Sequence, residues 1–498
     1  MWNDSTLQIE KQHKGLVNKK MISRILGILL LIECGMMCLC AMVAIAYGEK
    51  SYSSFFWASF ISGGIGLLLL LIGKNADREL SRRDGYCIVM ATWVLFTTMG
   101  MLPFYLSGEI PRIPDAFFET MSGFSTTGAT ILDNIESLSH GMLFWRSLIQ
   151  WIGGLGIVFF TIAVLPIFGV GNQMLASAES AGVSREKILP KISTIAKWIW
   201  GFYVAFTLTE TCLLLLGGMD WFDAVCHSFC TMSTGGFSTK QASIAHWNSA
   251  YIEYVVSVFM LLASLNFSLY FILIKGQVWK WITDVETRMF LFSVGVITLM
   301  VMGILIVREQ YDLEPAFRLS LFQVASIHSG TGFSTADFML WPPVVWALFL
   351  YIMVAGGCTG STSAGIKSMR VLIVLQSIKN ELYRLMHPRA VLPIKINHHT
   401  VPASTLSTVN TFIVLYMACL FFGTVALLAC NVGFIESLSL SISSLGCVGP
   451  ALGNFGPAFS WSALPDAAKW ITSFLMLMGR LELLGVLLMF TPGFWSKH

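Results

Sequence analysis

Residues Asp115–Thr130 read DAFFETMSGFSTTGAT. An amphipathic stretch, Asp115–Phe124, runs into Ser125-Thr126-Thr127-Gly128, and long apolar segments lie on both sides. A helix needs about 20 mostly apolar residues to cross a bilayer, so this stretch is too short. The arrangement recurs three times. Asp220–Met232 precedes Ser233-Thr234-Gly235-Gly236, Glu314–His328 precedes Ser329-Gly330-Thr331-Gly332, and Ile435–Leu445 precedes Gly446-Cys447-Val448-Gly449. Such segments read as re-entrant half-helices, because irregular backbone at membrane depth survives only where protein or a water-filled cavity covers it. A closing glycine that takes positive φ lets successive carbonyls point one way. Rings of carbonyls are how proteins replace the water around a potassium ion, and four such loops suffice for a ring from one chain.

Composition sets the class. The chain has 498 residues, 55% of them hydrophobic and 12% charged, with a mean hydropathy of +0.71. Soluble domains carry roughly 25% charged residues, so most of this surface faces lipid, and an all-α polytopic membrane protein is expected. A net charge of +3 gives no case for a nucleic-acid partner. Many of the 11 cysteines sit inside apolar segments (Cys34, Cys38, Cys40, Cys212, Cys419) without zinc-ligand spacing, and read as small apolar residues. Met21–Tyr47 is too long for a cleavable signal core and a second span follows it. No G-x-S-x-G elbow or H-E-x-x-H motif supports a membrane hydrolase.

Candidate spans are Met21–Tyr47, Phe55–Ile72, Tyr86–Leu106, Leu143–Phe168, Ile199–Leu216, Tyr251–Ile274, Met289–Val307, Val344–Val374, Val409–Cys430 and Trp470–Phe490, about ten. The pattern predicts a leading helix pair (residues 1–80) and four repeats of helix, half-helix, loop and helix (81–195, 196–285, 286–400 and 401–498), with fourfold pseudosymmetry around a central pore. Lys and Arg fix the orientation. One side collects Lys11, Lys14, Lys19, Lys20 and Arg24, then Lys74, Arg78, Arg82 and Arg83, then Arg185, Lys187 and Lys191, then Lys275, Lys280 and Arg288. The polar connection Ser368–Ser404 adds Arg370, Lys379, Arg384, Arg389 and Lys395, whereas the half-helix side holds few, Arg112, Lys240, Arg308 and Arg318. The richer side is expected to be cytoplasmic, with both termini, so the four loops face outward.

Phe117-Phe118-Glu119 through Thr130, Gln150-Trp151-Ile152-Gly153-Gly154-Leu155-Gly156, His227-Ser228-Phe229 through Thr239, Gly356 through Thr362 and Gly479-Arg480-Leu481-Glu482 together carry a resemblance. They resemble the TrkH branch of the Trk/Ktr/HKT superfamily of potassium transporters, over nearly the whole chain. The resemblance implies uptake of K+, with no organic cofactor, across a bacterial inner membrane. It implies an outward selectivity filter built from Thr126 and Thr127 before Gly128, Thr234 and Gly235 before Gly236, Gly330 and Thr331 before Gly332, and Cys447 and Val448 before Gly449. It implies a gate at the glycine-rich break in Val344–Val374 (Gly356, Gly357, Gly360, Ser361, Thr362, Ser363, Gly365), with Arg480 beside it. A homodimer in membrane lipid and a cytosolic ring of TrkA-type nucleotide-binding subunits are implied partners. The alternative is a sodium- or proton-coupled symporter, but Glu33 and Glu210 are isolated acids expected to pair with neighbouring helices rather than form a proton relay.

This sequence departs from the family pattern in places. His328 precedes the third loop, where a small residue is usual. It reads as a packed imidazole, with a metal ligand or pH sensor as alternatives; His227 is read the same way. Gly446-Cys447 stands where Asn is common, and Ser363-Ala364 where more glycine is usual. Arg480 is either a fixed charge in the passage or a structural partner of Glu482, although residues two apart on a helix do not face each other.

Overall fold

The computed structural model describes residues 17–76, 80–154, 156, 192–397 and 399–496. Lys11, Lys14, Arg78, Leu155, Arg185, Lys187, Lys191 and the expected span end at Phe168 lie outside them.

The leading pair is α1 (Lys19–Ala46) and α2 (Tyr52–Ile72). They approach closely because glycines face each other: a Cβ on Gly27 would lie 2.7 Å from the Gly66 carbonyl oxygen. In lipid, close backbone packing replaces the hydrophobic drive between helices. α1 also packs on α3 (Arg82–Gly100) and α6 (His140–Gly154), while α2 leaves Phe56, Trp57, Phe60 and Leu71 exposed on the outside.

The repeats follow. The first holds α3, α4 (Leu102–Ser107), the half-helix α5 (Ile113–Phe124) and α6. The second holds α7 (Ile192–Leu216), the half-helix α8 (Trp221–Met232), α9 (Ala250–Ala263) and α10 (Phe267–Ile274). A short α11 (Val278–Thr283) leads into the third, with α12 (Val285–Glu309), the half-helix α13 (Leu313–Ser329), α14 (Pro343–Ala355) and α15 (Ser368–Met386). The strand pair β1 (Lys395–Ile396) and β2 (His399–Thr400) folds back the polar connection. The fourth holds α16 (Ala403–Ala429), the half-helix α17 (Phe434–Gly446), α18 (Asp466–Arg480) and α19 (Leu484–Met489), before a final turn, α20 (Pro492–Trp495). This is the all-α, fourfold-repeated membrane fold the residues predict. The half-helices have 12, 12, 17 and 13 residues. At about 1.5 Å per residue each falls short of a ~30 Å hydrocarbon core.

The span count differs from the expected ten. Among the described residues six helices are long and apolar enough to cross, or seven if the bent pair α9–α10 counts as one. The difference lies in the second helices of the repeats: Leu143–Phe168 runs past Gly154 out of the described residues, and the other three are broken. α9 and α10 meet at 94° across Ser264–Asn266, where the Asn266 side chain caps α10 by accepting Ser268 N–H. α18 stops at Arg480 and restarts at Leu484 through Glu482 and Leu483, both at positive φ. Apolar composition hides these breaks, because the residues on both sides of each are equally lipid-compatible.

Ion pairs tie neighbouring repeats where second helices meet half-helices. Lys469 of α18, 2% exposed, binds Asp115 of α5 at 2.7 Å, and Glu253 of α9 binds Arg318 of α13 at 2.7 Å.

Candidate functional site

All four half-helices end in one backbone motif. The first loop residue takes a left-handed conformation: Thr126 (φ 56°), Thr234 (53°), Gly330 (78°) and Cys447 (48°). Its N–H returns to the carbonyl three residues back, from Thr126 to Gly123, Thr234 to Thr231, Gly330 to Ile327 and Cys447 to Ser444, at 2.9–3.3 Å. The next N–H reaches five residues back, from Thr127 to Ser122, Gly235 to Cys230, Thr331 to Ser326 and Val448 to Ser443, at 2.8–3.0 Å. These two bonds satisfy carbonyls a helix end leaves open. Glycine usually takes the left-handed position. Here three loops carry Thr, Thr and Cys, at about 1–2 kcal/mol each. The closing glycines are also left-handed: Gly128 (80°), Gly236 (76°), Gly332 (84°) and Gly449 (98°).

The loops meet in cyclic order. A Cβ on Gly128 would lie 2.1 Å from the Gly235 oxygen, one on Gly236 1.9 Å from the Thr331 oxygen, one on Gly332 2.1 Å from the Val448 oxygen, and one on Gly449 2.6 Å from the Thr127 oxygen. Each loop therefore abuts the carbonyl of the next, and the fourth returns to the first. Thr126, Thr127, Thr234, Thr331, Cys447 and Val448 are all buried.

A second set of residues braces this ring. Buried Glu119 of α5 accepts from Thr130 Oγ1 (2.9 Å), Ile131 N–H (3.0 Å) and Arg146 Nε (2.9 Å). His227 of α8 holds the Asp223 carbonyl at 2.7 Å and Ser238 Oγ at 2.9 Å. His328 Nε2 pairs with Ser293 Oγ at 2.8 Å, its ring packed on Phe290. Both histidines are thus packed imidazoles with partners. Among the described residues no group of three or more His, Cys, Asp or Glu could hold a metal ion. Arg146 and Glu119 carried no motif spacing that singled them out as a pair.

Beneath the second loop lies the irregular segment Gly356–Lys367, between α14 and α15. It fills the gap where α9 and α10 separate. Cys358 N–H donates to Ser264 O (2.9 Å), Phe267 N–H to Gly360 O (3.1 Å) and Thr362 Oγ1 to Ala263 O (3.2 Å). The carbonyls and amides freed by the broken helix are so satisfied by the segment. Thr362 and Thr234 bring their hydroxyls to 3.4 Å. Inside the segment Ser363 Oγ accepts Gly357 N–H at 3.1 Å and lies 2.9 Å from Ser361 Oγ.

Arg480 reaches this segment. Its guanidinium donates to Thr362 O and Gly154 O, each at 2.6 Å, and to Gly153 O. It thereby joins parts of repeats 4, 3 and 1. The considered pairing with Glu482 does not occur; Glu482 binds Lys367 at 2.9 Å and Arg370 at 2.5 Å. Glu286, in the first turn of α12, accepts Thr359 N–H (2.6 Å) and Met369 N–H (3.1 Å) through one oxygen. Hydrogen bonds contribute about 0.5–1.5 kcal/mol each, so these two together contribute about 1–3 kcal/mol. Glu286→Ala should therefore speed amide exchange of the peptide spanning Thr359–Met369 by about 10- to 100-fold, read by hydrogen–deuterium exchange.

Glu33 and Glu210 are both fully buried. Among the described residues Glu33 has no hydrogen-bond partner, whereas the Glu210 carboxyl faces the Thr231 hydroxyl of the neighbouring α8.

A family model described as "TrkH: Cation transport protein" matches residues 50–497. The chain belongs to the TrkH family. Its relatives include the Trk system potassium uptake protein TrkH of Halomonas elongata, 37% identical over 96% of this chain and 99% of that one. The protein of the same name from Escherichia coli K12 is also 37% identical, over 96% of this chain and 99% of its own. The crystal structure of the potassium transporter TrkH from Vibrio parahaemolyticus superposes with a TM-score of 0.86 at 33% identity, over 96% of this chain and 99% of that one. In this TrkH-family chain α1 lies before the matched residues, yet it packs on α3 and α6 as an integral part of the fold.

Proposed function

We propose that the chain takes up potassium across a bacterial inner membrane through a channel-like pore. The carrying observation is the cyclic contact of the four loops, each closing glycine against the next loop's carbonyl. In this reading Thr126, Thr127, Thr234, Gly235, Gly330, Thr331, Cys447 and Val448 turn carbonyls toward the axis and replace the water of a stripped cation. A bare ion in low dielectric costs tens of kcal/mol, and only a near-complete oxygen shell offsets it. The half-helices add their C-terminal partial charges, on the order of 0.3–1 kcal/mol each. The names of the relatives, potassium uptake proteins at 37% identity, support the choice of ion.

The segment Gly356–Lys367 is the gate in this proposal, and Arg480 its latch. The repeat boundaries given above, cytoplasmic termini, a homodimer and docking of TrkA-type subunits on the basic loops complete it. Uptake needs no coupling. A potential of ~150 mV supplies about 3.5 kcal/mol per charge, a gradient of a few hundredfold. Against the symporter alternative, Glu33 and Glu210 are isolated from other acids and do not line up as a relay among the described residues.

Growth of an uptake-deficient bacterium in low potassium, with and without this chain, tests the proposal; no rescue by a correctly inserted protein counts against it. The gate has its own test. Ser363→Gly removes the hydroxyl that holds Gly357 N–H and frees the backbone. Open probability in planar bilayers should rise severalfold, by about the worth of one hydrogen bond. Equal values in the two proteins would reject this role.

A further inference from the structure

The ring is not chemically fourfold. Thr127, Gly235, Thr331 and Val448 occupy equivalent positions, and among the described residues only the Gly235 carbonyl accepts a hydrogen bond. Its donor is Gln150 Nε2 of α6, at 2.7 Å. Gln150 Oε1 in turn accepts Phe237 N–H at 3.0 Å, so one buried amide spans the closing glycine Gly236. One turn earlier on α6, Arg146 Nη1 donates to Ser238 O at 3.1 Å, and its guanidinium covers the Phe237 ring at 4.1 Å. Arg146 also holds Glu119, which holds the exit of the first loop at Thr130 and Ile131. α6 thus fixes loops one and two relative to each other.

The sequence of the second loop fits this arrangement. A Cβ on Gly235 would lie 2.5 Å from both Cδ and Oε1 of Gln150. The amide fills the space that β-branched Thr127, Thr331 and Val448 fill for themselves in the other loops. The fourth repeat shows what is lost without the amide. Gly153 and Gly479 are equivalent, since a Cβ on either would strike the carbonyl of a half-helix end, Phe124 or Leu445. Three residues before Gly479 stands Met476 where Gln150 precedes Gly153, and a methionine gives a neighbouring carbonyl no donor.

We propose that Gln150 is a specificity-determining positioning residue: its amide holds the Gly235 carbonyl at a fixed radius and so sets discrimination between potassium and sodium. This rests on the pore reading above. On the cavity-size account of selectivity, a smaller ion is coordinated only if carbonyls move inward, so a ring free to follow discriminates less. Anchoring one carbonyl from behind opposes that movement.

The test compares wild type, Gln150→Met and Gln150→Leu in lipid vesicles under potassium or sodium gradients, with insertion and thermal unfolding measured in parallel. Methionine matches the volume and cannot donate, so a space-filling role would leave its flux ratio unchanged. Gln150→Met should lower the potassium-to-sodium flux ratio by about threefold to tenfold, the span of one hydrogen bond, in protein that still inserts and unfolds cooperatively. Should Gln150→Met fail to insert, Gln150→Leu carries the same expectation, since it too has no donor for the Gly235 carbonyl and brings no charge. A wild-type ratio in the inserted variant overturns this proposal alone. Wild-type vesicles that pass no cation overturn it together with the pore reading.

Discussion

Replacing Arg480 with alanine should raise potassium flux by about tenfold. Two effects act in the same direction. The guanidinium binds the Thr362, Gly153 and Gly154 carbonyls, so its loss unties the segment beneath the second loop from both α6 and α18. It also removes a fixed positive charge from the path proposed for a cation. Like charges in a site of reduced dielectric repel by more than they do in water, so removing the guanidinium favours occupancy by a cation. The two effects separate in Arg480→Lys. Lysine keeps the charge but has no planar fork to bind three carbonyls. Its single-channel current should stay near the wild-type value while open probability rises. Alanine should raise both. An Arg480→Ala protein with wild-type current and wild-type open probability would remove Arg480 from the gate.

Much of this architecture is legible in the residues, and the rest is hidden for identifiable reasons. The half-helices can be read because each is too short to cross and stops at a Ser/Thr/Gly run. The closing glycines can be read because only glycine takes positive φ without strain. The left-handed Thr126, Thr234 and Cys447 cannot, since nothing in a Thr or Cys marks it for that conformation; only Gly330, at the equivalent place, points to it. The breaks after Ala263 and Arg480 are masked by apolar neighbours on both sides. Contacts between residues hundreds of positions apart are hidden too. Arg480 leaves two readings open from sequence alone, a charge in the passage or a partner of Glu482; three backbone carbonyls take its guanidinium, and Lys367 and Arg370 take the acid. Carbonyl acceptors carry no residue identity, so no motif announces them. Gln150 falls in the same class: one of its two partners is a carbonyl and the other a backbone N–H.

The ring contacts rank the glycines, and that ranking is the most demanding prediction. Gly236→Ala places a methyl 1.9 Å from the Thr331 oxygen and 3.0 Å from its carbon. Both are backbone atoms, so no flexible side chain can yield. The residue also sits at φ 76°, where a Cβ is itself strained. To accept the methyl, loops two and three must separate, and the oxygen shell proposed for the cation opens on that side. Potassium flux should fall by at least ~100-fold, the effect of withdrawing about 3 kcal/mol of coordination. Gly128→Ala and Gly332→Ala, each with 2.1 Å approaches, should behave alike. Gly449→Ala, at 2.6 Å from the Thr127 oxygen, should retain more flux than these three. Gly330 is the control. It is left-handed as well, but its added Cβ would meet nothing nearer than the Cys447 oxygen at 3.3 Å, and loops one and two already carry Thr at that place. Gly330→Thr should keep flux within about tenfold of wild type, at about the 1 kcal/mol a left-handed side chain costs. Vesicle flux measured across the five variants at matched protein content decides the matter. If Gly330→Thr proved as damaging as Gly236→Ala, backbone strain rather than loop-to-loop contact would govern the site, and the closed ring would lose its claim to shape the passage.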